Sequence, residues 1–164
     1  MGQMVFVPMS RVQARALRDT GSSSGQLDGH AATPALLVAQ DYDQSMLEDA
    51  DYAALCFAGA SALTGSTDTD VLRLVVAADL TPSLFEADED SPYGMVRVRE
   101  LPWPAVQALF SDEPGAAAAV AAARAAAAGR SVDAALTLAP VLEVFEKHDL
   151  LWFSPDELDQ LPEM

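Results

Sequence analysis

The sequence predicts one α/β or α+β domain: a single mixed sheet of about five or six strands with helices packed on it. Three observations carry that expectation. A length of 164 residues suits one domain with a sizeable core. The composition, 51% hydrophobic and 21% charged, is that of a globular chain rather than a disordered one. Short apolar runs alternate with capped, helix-like segments, and no internal repeat or linker interrupts them, so residues 1–164 read as one acidic domain.

Met4, Val5, Phe6 and Val7 form an apolar run with the character of a buried strand. Ser10 and Gln13 have capping-box spacing, so a helix runs from there to about Thr20 and stops at Gly21. Residues 22–25 are a Ser/Gly loop, and residues 29–32 suit a short strand. Thr33 and Pro34 have the form of an N-cap followed by proline in the first helical position. Residues 35–40 stay ambiguous between one or two helical turns and a buried strand, because so short an apolar run does not separate the two periods.

Ser45 and Glu48 repeat the capping-box spacing. Glu48, Asp49 and Asp51 then crowd the positive end of a helix expected to reach Leu63, with Leu47, Ala50, Ala54, Phe57 and Ala58 buried. Residues 64–70 read as a loop. Residues 72–78 are almost continuously apolar, the pattern of an interior strand covered on both faces. Residues 81–90, acidic toward their end, read as a long exposed connection. Residues 95–101 alternate, Val96 and Val98 against Arg97 and Arg99, which predicts a half-exposed strand.

Pro102, Trp103 and Pro104 make a turn, and residues 106–110 suit another strand. Residues 114–128 form an Ala-rich helix ended by Gly129. Ser131 opens a further helix, broken or kinked near Pro140. Residues 150–153 read as a last strand with Trp152 in the core. Ser154 and Glu157 are a third capping box, with Pro155 between them at the first helical position.

Twenty-five acids face nine bases, a net charge of −16. Nucleic-acid affinity rests on Lys and Arg neutralising phosphates. The arginines here are spread over a helix (Arg11, Arg15, Arg18), the strand regions (Arg73, Arg97, Arg99) and scattered positions, so direct nucleic-acid binding is not expected. The same balance argues against an anionic membrane surface. It permits a basic protein partner, or serves solubility alone. Cys56 is the only cysteine, so no intrachain disulfide forms, and its apolar helical setting suits a small buried hydrophobe. The start of the chain lacks the basic and apolar regions of a secretion signal, and a cytoplasmic protein is expected.

Several segments, in this order, resemble an actinobacterial family of uncharacterised proteins, a domain of unknown function. They are Val5-Phe6-Val7-Pro8, Thr33-Pro34-Ala35-Leu36, the stretch from Leu47 to Ala54, the stretch from Leu74 to Asp79, and Asp149-Leu150-Leu151-Trp152-Phe153. The Ala and Arg bias fits such a host. The resemblance spans nearly the whole chain. It implies the fold and the host, and it carries over no activity, cofactor or catalytic residue.

The sharpest chemical pattern is Asp41-Tyr42-Asp43 after the apolar run 37–39. It is similar to the first motif of haloacid-dehalogenase-type phosphatases, where one carboxylate attacks phosphorus beside Mg²⁺ and a second handles the leaving-group proton. Asp79, after another apolar strand, would complete the metal site. The rest of that pattern is missing: a strand and a helix precede the motif, Lys147 is the only lysine, and the late acidic pair is absent. The plain alternative is two loop acids before a capped helix. If residues 35–40 are a strand, Asp41 lies at a carboxyl end, where α/β ligand sites form. If they are helical, the enzyme reading fails.

The remaining candidates are weaker. The acids between Asp41 and Asp51 lack the register of a calcium loop. His30 and His148 have no evident partners in sequence, and two histidines with Cys56 do not make a zinc set. A nucleophile pair of Cys56 with either histidine would need a tertiary coincidence. No phosphate-binding glycine motif is present, and Ser22, Ser23 and Ser24 read as a bare loop. Trp103, between two prolines, is the candidate interaction residue, the alternative being that it caps the core. The balance favours a non-catalytic cytoplasmic binding or regulatory protein with a protein partner and no cofactor. The alternative is a metal-dependent, phosphatase-like hydrolase using Asp41, Asp43, Asp79 and Mg²⁺. An acidic mimic of nucleic acid is a third reading.

Overall fold

The computed structural model describes residues 2–23, 25–65 and 70–162. Parts of the loops expected over 22–25 and 64–70, namely Ser24 and residues 66–69, lie outside the described residues. The class is α+β. One sheet holds seven strands in the order β4-β5-β2-β1-β3-β6-β7. They are β1 (Gln3–Pro8), β2 (Leu27–Ala31), β3 (Leu74–Leu80), β4 (Phe85–Ala87), β5 (Met95–Val98), β6 (Val106–Ser111) and β7 (Leu151–Phe153). Every neighbouring pair is antiparallel, where a mixed sheet was expected.

The extra strand is β4. It lies inside the connection expected to be exposed, because Phe85 is buried while Glu86 points out, and the segment pairs with β5 as an edge. The strand expected over 72–78 begins two residues later, at Leu74. Arg73 turns its backbone N–H to the Asp112 carboxylate (2.9 Å). The interior strand β3 is buried on both faces except at Asp79, as its apolar run predicts.

The helices are α1 (Arg11–Thr20), α2 (Pro34–Ala39), α3 (Leu47–Ser61), α4 (Ala117–Ala127), α5 (Val132–Ala135) and α6 (Ala139–Lys147). α1 has the predicted capping box, Ser10 with Gln13, and ends on Gly21 in the left-handed region at φ 91°. It covers one face of the sheet with the C-terminal 3-10 turn Pro155–Gln160: Ala14, Leu17, Leu158 and Leu161 pack on Val5, Val7, Val76 and Leu109. α2 and α3 cover the other face, where Leu36, Leu37, Ala54 and Phe57 meet Phe6, Val75 and Ala77. α4, α5 and α6 form a third layer around Val120, Ala123, Val141 and Val144.

α3 starts differently from expectation. Asp43, not Ser45, is the cap: its carboxylate accepts the Ser45 N–H (2.8 Å) and nucleates the 3-10 turn Gln44–Met46. Ser45 spends its hydroxyl on the same carboxylate, so α3 begins at Leu47 without a side-chain cap. Leu47 is consequently exposed rather than buried. Trp152 is a second correction. β7 is an edge strand, and the indole, opposite Phe110, is 61% exposed instead of lying in the core.

Candidate functional site

A cleft of about 870 Å³ opens beside β2, within the range of roughly 300–1,000 Å³ typical of ligand pockets. β2 supplies its floor. Alternation along that strand puts Asp28 and His30 on one face, and Phe6 opposite His30 fixes that face toward α3. Ser61 enters from the last residue of α3. Asp88, Ser91 and Tyr93 come from the β4–β5 connection, and Arg130, Ser131 and Asp133 from the start of α5.

His30 is 1% exposed and both ring nitrogens are engaged. Nδ1 lies 2.8 Å from the Tyr93 carbonyl oxygen and Nε2 lies 2.7 Å from Ser61 Oγ. A carbonyl can only accept, so Nδ1 carries the proton. Nε2 then offers its lone pair, and the Ser61 hydroxyl donates to it. Burial pushes the imidazole below its ordinary value, against smaller upward pulls from the Tyr93 carbonyl and Asp28. The ring is therefore neutral in the folded protein near pH 7.

Tyr93 is held from both ends. Its ring stands edge-on to Phe57, with centroids 5.0 Å apart, and its hydroxyl donates to Asp133 Oδ1 at 2.7 Å. The next residue, Gly94, takes φ 70° and gives its carbonyl to the Ala31 N–H at 2.8 Å. A Cβ there would stand 2.1 Å from the Ala31 carbonyl oxygen, so only glycine lets this loop close on β2. Among the described residues, the cleft's charged side chains are three exposed carboxylates, Asp28, Asp88 and Asp133, and one guanidinium, Arg130.

The sequence candidates fall elsewhere. Residues 35–40 are resolved in favour of the helix, α2, so Asp41 does not stand at the end of a strand. It takes the left-handed conformation, φ 59°, just past that helix. Asp43 caps the following turn, and the Ser45 hydroxyl holds its carboxylate below the usual range. Asp79 lies on β3 opposite Met4 and close over Gly2. Among the described residues, no group of three His, Cys, Asp or Glu side chains is placed to hold a metal ion. Asp41, Asp43 and Asp79 are not brought together.

Trp103 is half-buried against the core, in the 3-10 turn Trp103–Ala105. Cys56 and His148 line one hollow of about 20 Å³ together with Tyr52 and Arg73, room for about one water. Burial pushes the Cys56 thiol up, the opposite of an activated thiolate. His148 caps α6, as its position near a helix C-terminus predicts.

Sequence reasoning found no evident partner for His30 and did not single out Ser61, Tyr93, Asp28 or Asp133. The one local signal was the spacing of Asp28 and His30, which puts both on one strand face. The Ser61 pairing is tertiary and leaves no motif.

An antiparallel α+β fold with an acidic cleft over β2 is what the chain presents. Residues 4–161 match a family of unknown function, DUF6912, and the chain belongs to that family. No curated protein and no solved structure matches it. No helix among the described residues is long and apolar enough to cross a membrane.

Proposed function

We propose that this protein is a binding or regulatory protein that recognises a protein partner, and that the partner lays a basic segment in the His30 cleft. One observation carries the reading: among the described residues, three carboxylates, Asp28, Asp88 and Asp133, line the cleft against one guanidinium, Arg130. A neutral His30 adds no opposing charge. A chain at −16 also attracts a cationic partner over distances of about a Debye length, roughly 8 Å at physiological salt. Close charge pairing in the cleft then supplies specificity.

The setting we propose is the cytoplasm of an actinobacterium, supported by the sole cysteine and by the Ala and Arg bias. Affinity capture of the tagged protein from lysate of its own host tests the function. The wild type should retain one stoichiometric partner with a basic segment. The double variant Asp28→Asn/Asp133→Asn should lose it. Capture of no partner, or equal capture by the variant, contradicts the reading.

A further inference from the structure

We propose that Ser61 is a nucleophile activated by His30, and that the cleft carries out acyl transfer from activated carboxylic esters. This goes beyond the binding reading and stands on separate observations. Ser61 Oγ, His30 and the Tyr93 carbonyl form the sequence of nucleophile, base and orienting acceptor, with successive contacts of 2.7 Å and 2.8 Å. The orienting bond selects the tautomer whose Nε2 lone pair faces the serine hydroxyl, as general-base catalysis requires. The base is buried, whereas Ser61 is half-buried and opens on the cleft, so a substrate reaches the nucleophile.

In the first step Ser61 Oγ attacks the ester carbonyl carbon and its proton passes to His30 Nε2. The carbon–oxygen bond to the leaving alcohol breaks, and that alcohol takes the proton from Nε2. In the second step water attacks the acyl carbon, Nε2 accepts its proton and returns it to Ser61 Oγ, and a carboxylic acid leaves. Water is the one co-substrate, and no oxidation state changes.

The oxyanion of each step develops at a helix C-terminus, where the peptide dipoles oppose negative charge. The Ser61 carbonyl is partly neutralised there, since it accepts the Thr64 N–H at 3.0 Å and the Thr64 hydroxyl at 2.7 Å. Arg130 is the cation lining the same cleft. The arrangement suits substrates with good leaving groups, which need less oxyanion stabilisation. The cleft's carboxylates favour an ester that carries a positive charge.

An uncharged fluorophosphonate is the probe, read by intact mass and peptide mapping. Attack by Ser61 forms a phosphorus–oxygen bond and expels fluoride, with the proton passing through His30 to solvent. One adduct per chain is expected, on the peptide holding Ser61, absent from Ser61→Ala and from heat-unfolded protein. The labelling rate should rise with pH through one ionisation below 6.5, the ordinary histidine value, and then level off. Among the described residues, the charged groups lining the cleft around His30 in that profile are Asp28 on its own strand, Asp88 beyond β4, and Arg130 and Asp133 at α5. No adduct, an adduct that persists in Ser61→Ala, or a rate that climbs without levelling overturns the proposal.

Discussion

His30 ties the cleft to the stability of the fold. Burial holds its folded pKa below the ordinary 6.5. Between those two values the unfolded chain binds the proton and the folded chain does not, so stability falls as pH drops below about 6.5. The depressed carboxyls of Asp43 and Asp159 act at lower pH, from their ordinary 3.8 downward. Urea midpoints measured between pH 7.5 and 5 should therefore decline, and His30→Gln should flatten that slope. Arg73 and Asp112 make the other demanding contact, a bidentate pair (2.7 and 3.0 Å) with the two side chains 4% and 0% exposed. Asp112→Ala leaves a buried guanidinium without its counter-charge and should cost about 3–5 kcal/mol by urea denaturation. A loss below about 1 kcal/mol would show that water reaches the arginine.

At the scale of elements, the cleft depends on how tightly the loop before β5 closes on β2. Gly94→Ala introduces both a left-handed backbone penalty and a contact with backbone, so a loss of about 2 kcal/mol or more is expected in thermal or urea unfolding. Gly21→Ala shares the positive φ but meets nothing within 4 Å, and should cost only about 1 kcal/mol. Elements with strong local signals were legible in sequence: the Ser10 cap, the Gly21 stop, the apolar run of β3 and the Ser154 capping box each stand close to where the pattern puts them. Elements set by partners were not. β4 is three residues long and exists because β5 offers an edge. Asp43 replaces Ser45 as the cap because its carboxylate takes both the Ser45 N–H and the Ser45 hydroxyl. Trp152 looked like core because its strand is apolar, and only the strand order reveals an edge. The site was least legible, since His30, Ser61 and Tyr93 meet across 31 and 63 positions of chain.

The whole molecule carries 25 acids and nine bases, a net charge of −16. Self-repulsion of that charge opposes compaction, and salt screens it. Raising sodium chloride from about 0.05 to 0.5 M should raise the thermal midpoint while weakening any cationic ligand, opposite signs from one cause. A basic segment in the acidic cleft is tested by titration of a fluorescent Lys/Arg-rich peptide, with an acidic peptide of equal length as control. Saturable anisotropy is expected for the basic peptide alone, with affinity reduced about tenfold or more in Asp28→Asn/Asp133→Asn and again by salt. Equal binding of both peptides, or wild-type affinity in the double variant, would contradict it.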